Sequence, residues 1–266
     1  MFQPVVPFTG YVGWRFLERT LETQQAAFEN SASVVRTTDH FRDSISGIAT
    51  AKDLVADRQL LSVALGAFGL SEDIDNKFFI EKVLSDGVAS DDALSNKIAD
   101  KRYRAFSEAF GFGRDAAPNS VRPGFAEQII LKFNRQEFER AVGQQDNSLR
   151  LALNVETALQ DVSSQTNRTD SQWFAVMGNP PLREVVEKAL GLPSSIARVN
   201  IDQQLTAFKE RASATFGTDR VDSLMEPENQ EKLIRLYLIR NEAATSSIAA
   251  GASAALTLLQ SAPRLF

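Results

Sequence analysis

Apolar residues along this chain recur at spacings of three and four, and no run of alternating β-branched residues appears, so the pattern predicts an all-α protein. The clearest stretch is Trp173 to Leu192. A short helix closes at Met177. Gly178 and Asn179 turn the chain, and Pro180 and Pro181 suit the first turn of the next helix, where a missing N–H costs nothing. Leu182, Val185, Val186, Ala189 and Leu190 then line one helix face. Gly191 supplies a left-handed stop, with Leu192 as its apolar closing contact. An earlier stretch repeats the device: Leu60, Val63, Ala64, Ala67, Phe68, Gly69 and Leu70 match Leu182, Val185, Val186, Ala189, Leu190, Gly191 and Leu192 at a constant offset of 122. Ile74 and Ile196, and Val83 and Leu205, keep the same offset. A faint internal duplication follows.

The remaining elements read in order. Trp14 to about Ile48 forms a long helix with a seam at Trp14, Leu17, Leu21, Gln24, Phe28, Ser31 and Val35, and a pause near Thr37. A capping box at Thr50 and Asp53 starts a helix over 51–68. Ser71 caps a helix that stops at Asp86-Gly87, and Ser90 caps one that runs toward Phe110 and stops in Ala-Phe-Gly-Phe. Helices follow over 125–142 and 149–162, from about Asp202 to Phe216, and from Pro227 onward. The last helix changes character at Ala243, where Ala, Ser and Thr replace large apolar residues. Its seam is Ile234, Leu238, Asn241, Thr245, Ile248, Ala252, Ala255 and Leu259. So little apolar volume calls for a partner helix, and the seam over 14–35 is the expected partner. The predicted architecture is therefore a multi-helix bundle with its long N- and C-terminal helices packed together. Its parts are an extended apolar tail over 1–13, a helical half over 14–110, a Gly/Pro-rich linker over 111–124 and a second half over 125–266, all within reach of one compact domain.

Composition narrows the function classes. The chain has 266 residues, a net charge of -5 and no cysteine. An acidic balance argues against nonspecific nucleic-acid binding, because no basic excess displaces counterions from phosphates. The cluster Lys101, Arg102 and Arg104 is flanked by Asp100 and Glu108 and reads as a solvated helix face. Without cysteine there is no disulfide, thiolate metal site or cysteine nucleophile. The opening residues lack the basic and apolar regions of a secretory signal, and the run Ile248 to Leu259 is too short to span a bilayer. These features fit either the cytoplasm or export without a cleaved signal.

Candidate chemistry is sparse. His40 is the single histidine, near Asp39 and Asp43, and reads as a surface histidine because no further ligands are in view. Asp73, Asp75 and Asn76 resemble the start of a calcium loop, but Phe78 and Leu84 stand where its glycine and glutamate belong. The group reads instead as negative charge in a helix's first turn. Gly111-Phe112-Gly113 lacks the third glycine of a dinucleotide turn, and Asn167-Arg168-Thr169 is a glycosylation sequon without a signal to give it meaning. No catalytic residue, cofactor or metal is expected. Trp14 and Trp173 raise one alternative, a helical module that binds a small apolar ligand between them.

Two motifs carry a resemblance. The opening Pro7-Phe8-Thr9-Gly10-Tyr11-Val12-Gly13-Trp14-Arg15-Phe16-Leu17 is the first, and Trp173-Phe174 through Gly178-Asn179-Pro180-Pro181-Leu182-Arg183 is the second. Through them most of the chain resembles an alphaproteobacterial domain family of unknown function, often encoded among flagellar genes. The resemblance implies a flagellum-associated role and brings no catalytic residues. Absent cysteine, an absent cleaved signal and polar or small residues in two terminal seams agree with a flagellar axial protein. The absent Asn-rich N-terminal motif of rod and hook proteins departs from it, and leaves a cytoplasmic assembly or regulatory factor open. The expectation is a non-enzymatic protein that binds protein partners, through Phe2, Phe8, Tyr11 and Trp14 at one end and Ile248, Leu256 and Leu259 at the other.

Overall fold

A computed structural model describes residues 2–98, 100–113 and 117–261, apart from the side chains of 165 and 246–261. Thirteen α-helices and no strand occur among the described residues, so the fold is all-α. The helices are α1 (Gly10–Glu29), α2 (Ala32–Ser44), α3 (Ala51–Ala56), α4 (Arg58–Gly66), α5 (Lys77–Asp86), α6 (Leu94–Lys97) and α7 (Lys101–Phe110). They continue as α8 (Phe125–Gly143), α9 (Asn147–Gln165), α10 (Thr169–Met177), α11 (Pro180–Leu190), α12 (Ile201–Phe216) and α13 (Pro227–Ser261). They form two compact units. The first comprises Met1–Val5 and Thr20–Ala141, and the second Val6–Arg19 and Val142–Phe266.

Each unit is organised around one capped helix. In the second unit, Asn179 caps α11 by accepting from the Leu182 N–H at 3.2 Å, and prolines fill the first turn. The helix buries Leu182, Val185, Val186, Ala189 and Leu190. Gly191 ends it at φ 67, and the Leu192 N–H reaches back to the Glu187 carbonyl at 2.9 Å. An Arg240 guanidinium nitrogen donates to the Ala189 carbonyl, satisfying an acceptor that the helix end leaves free. In the first unit, Asp57 caps α4 through the Gln59 and Leu60 N–H groups at 2.8 and 3.1 Å. Gly69 closes that stop at φ 68, the Leu70 N–H returns to the Leu65 carbonyl at 2.9 Å, and Arg102 donates to the Gly69 carbonyl.

The neighbours repeat as well. In the first unit α2 packs on α4, and α3 on both α4 and α5; in the second α9 packs on α11, and α10 on both α11 and α12. Asp57 and Asn179 stand at the offset of 122, as do Gly69 and Gly191. Cap, buried face, stop and neighbours thus recur together, which gives the faint sequence repeat a physical basis.

Several expectations are corrected. The first long helix breaks at Asn30-Ser31, where Ser31 is extended at ψ 138, and not near Thr37. Thr37 and Thr38 stay helical by turning their hydroxyls to the carbonyls of Ser33 and Val34, both at 3.0 Å. The helix expected over 51–68 is two helices, because Asp57 leaves the helical conformation to cap the second. Residues 10–13 of the expected tail are the first turn of α1. Residues 111–124 do not separate the units, which change over at 141/142. Ser120 in that stretch donates to the Ile48 carbonyl at 2.6 Å, and Phe125, Ile129 and Phe133 of α8 join the first core.

The pairing of the terminal helices is also narrower than expected. Helix α13 packs chiefly on α11, with α9 beside it. Its ties to the start of α1 are made by side chains. Tyr11 donates to the Glu231 carboxylate at 3.4 Å, and Arg15 approaches the same oxygen at 3.5 Å. The Glu242 carboxylate lies against Gly10, where a side chain would collide with it.

Candidate interaction surface

The N-terminal segment folds back on helix α1, and this accounts for the polar residue in its seam. Gln24 is buried, yet its amide is fully employed. The Val5 N–H donates to Gln24 Oε1 at 2.6 Å, and Gln24 Nε2 donates to the Val5 carbonyl at 3.1 Å and to Thr20 Oγ1 at 2.8 Å. The side-chain amide thereby pairs with an extended backbone as a neighbouring strand would. Phe2 sets its ring edge-on to Phe28 at 5.7 Å, and Phe28 meets Phe138 at 6.0 Å. These contacts belong to the first unit.

In the second unit, Phe8 meets Phe16 edge-on at 6.5 Å. Gly13 has no room for a side chain: its N–H donates to the Thr9 carbonyl at 3.1 Å, and the Phe8 carbonyl fills the space a Cβ would need. The opening motif is therefore architectural, since its glycines let the chain reverse at close range. The second motif is architectural too, supplying the cap and the proline turn of α11.

The expected interaction residues divide. Trp14 is buried at 8% exposure and belongs to the core. Phe2 is half-buried against Phe28, and Tyr11 is half-buried and tied to Glu231. Phe8 is 54% exposed. Ile248, Leu256 and Leu259 lie outside the residues whose side chains are described. Exposed apolar residues that were missed include Phe78 at 91%, Leu131 at 69%, Val12 at 64% and Ile239 at 48%. Phe8, Val12 and Phe16 keep a spacing of four, a signal that could have revealed Val12 beside the chosen seam.

Helix α13 changes surroundings along its length. Leu233, Ile234, Tyr237 and Leu238 are buried, and burial pushes the Tyr237 phenol well above its ordinary range. From Ile239 to Thr245 no residue is buried, and the helix continues to Ser261. Lys188 reaches Asn241 at 2.7 Å, at the edge of this change.

The titratable groups are drawn into structural ties. His40 pairs with Asp57 at 3.1 Å, joining α2 to the cap of α4. Burial raises the Asp57 pKa, but bonds from the Leu60 N–H, His40 and the Gln59 N–H outweigh it and hold the carboxyl below its ordinary value. Asp73 accepts from the Tyr103 hydroxyl at 2.6 Å and from Asn76 at 2.8 Å. Burial, then this bond, pushes the Tyr103 pKa up to about 12. Asp222 accepts from Ser163 and, at 2.7 Å, from Gln172, and the Ser163 bond leads in lowering its pKa. No group of three or more possible metal ligands occurs among the described residues.

Trp173 is fully buried, stands 5.8 Å from Phe208 and donates its indole N–H to the Asp219 carbonyl at 2.7 Å. A shallow depression lies instead beside Arg220, Asp222, Ser223, Glu226 and Asn229 and is lined by neither tryptophan. No helix among the described residues is long and apolar enough to cross a membrane.

Comparison with known proteins agrees with the fold. The family described as "Protein of unknown function (DUF1217)" matches residues 67–233. A crystal structure of a protein from Agrobacterium tumefaciens is similar at 22% identity and a TM-score of 0.68, covering 90% of this chain and 98% of that one. At that identity the likeness speaks for the fold. No curated protein matches the chain.

Proposed function

We propose that this chain, which belongs to the DUF1217 family of proteins of unknown function, is a non-enzymatic helical protein that binds other proteins and serves flagellar assembly or structure. One observation carries the binding part. Helix α13 leaves its buried setting after Leu238 and runs on to Ser261. That continuation is about 35 Å long at 1.5 Å per residue. A helical extension of this length, rich in Ala and Ser, is marginal alone and gains its stability from a partner. The flagellar part comes from the sequence resemblance at the opening and Trp173 motifs.

Deleting the gene in its native host, and scoring hooks, filaments and swimming, tests the reading. Loss of motility restored by the full gene, but not by one truncated after Glu242, is the expected result. Normal motility and normal filaments in the deletion would overturn it.

A further inference from the structure

The first unit contains a small piece of chain that reaches it through the second. Residues 2–5 dock in the first unit, the following residues 6–19 belong to the second, and the chain returns to the first at Thr20. The receiving site is specific. Gln24, held in place by Thr20, reads the Val5 backbone in both directions, and Phe28 takes the Phe2 ring on its edge. Pro4 is buried between these two anchors in sequence, while the Val5 side chain faces outward. The reversal that brings the segment back is at Gly10, with φ 60 and the Glu242 carboxylate against it.

We propose that the Thr20–Gln24–Phe28 face of α1 is a receptor for an extended segment, and that residues 2–5 of a second copy of this chain fill it by exchange. The occupant follows from the site itself. It reads backbone and one aromatic ring, and every copy carries the segment that already fits. Exchange preserves these contacts and changes only the reversal around Gly10, the arrangement by which identical elements swap at low cost. The inference does not rest on the flagellar reading.

The cysteine-free sequence makes the test direct. One full-length sample carries a donor dye at Val5→Cys, and another an acceptor at Glu29→Cys, an exposed position at the end of α1. Energy transfer after mixing then reports a segment held by another chain. Transfer that rises with protein concentration, in a species of twice the chain mass, is expected. Gly10→Ala should favour the exchanged form by about tenfold, since a left-handed residue with a side chain is disfavoured by roughly that factor. Adding Gln24→Ala should abolish transfer, because the receptor then lacks its backbone reader. Absence of transfer over the wild-type concentration series would overturn the proposal whether or not the variants fold. A dimer unchanged by Gln24→Ala would also overturn it, by placing the contact elsewhere.

Discussion

Helix α4 leaves only Arg58, Gln59 and Ser62 exposed, whereas α11 carries a broader polar face, although both hold the same place in a repeated plan. At the offset of 122, buried Leu61 and Leu65 of α4 correspond to Arg183 and Glu187 of α11. The arginine and glutamate pair at 2.6 Å, with side chains 20% and 18% exposed. Arg183 also donates to Gln204 at 2.7 Å and lies over the Phe208 ring at 5.9 Å. The broader the apolar face of a helix, the more of its surface needs cover. The first unit takes the Leu61 and Leu65 flank of its central helix into its core, while the second leaves the matching flank to an ion pair and a glutamine. The shared residues, cap, buried face and stop, are what the plan requires. The differing residues show how much of the helix each unit covers.

The largest expected effect comes from placing the second unit's residue in the first. Leu61→Arg buries a charge without the partners that Arg183 has, at a cost of at least about 4 kcal/mol. Circular dichroism should lose part of its helical signal. Emission from Trp14 and Trp173, both in the second unit, should keep its native wavelength. A stability loss below about 1 kcal/mol would show that the Leu61 flank of α4 is not enclosed.

Gly69→Ala and Gly191→Ala should each cost about 1–2 kcal/mol in chemical denaturation, because both positions require a left-handed backbone. Similar losses would support equivalence, and a loss at only one would break it.

The caps differ in a way that pH separates. Asp57→Ala and Asn179→Ala should each cost about 1 kcal/mol at neutral pH. The Asp57 pKa is lowered on folding, so its contribution is present above the ordinary aspartate value of 3.8 and is lost as pH falls through the still lower folded value. Asn179 has no such dependence. Acid titration of stability should therefore flatten in Asp57→Asn, and an unchanged acid slope would remove Asp57 from that role. The smallest effect is expected from Arg183→Leu with Glu187→Leu, within about 1 kcal/mol of the parent, since a well-packed apolar pair replaces a partly buried ion pair at little cost. Thermal denaturation reads it, and a loss above about 3 kcal/mol would give the pair a larger part than cover.

The sequence made the repeat visible because its stops use glycine in a left-handed conformation, with large apolar residues on either side. The break at Asp57 was hidden, since an aspartate within a helical pattern looks like one more solvated position. Gln24 was legible as a polar seam residue, but its partner is the Val5 backbone, and backbone groups leave no mark in a residue pattern. The hold of α11 on α13 was obscured for a similar reason. A seam gives the face that is buried and not the helix that buries it. The surface residues Val12 and Ile239 leave a fainter mark because they stand off the most continuous apolar stripes.

Hydrogen exchange at the Leu70 and Leu192 amides tests the repeated plan most directly. Each closes a helix stop by bonding five residues back, to Leu65 and Glu187, at 2.9 Å. Slow exchange is expected at both, comparable to the buried amides of α4 and α11. Rapid exchange at either amide, while its own helix stays protected, would contradict the claim that the two units share one architecture.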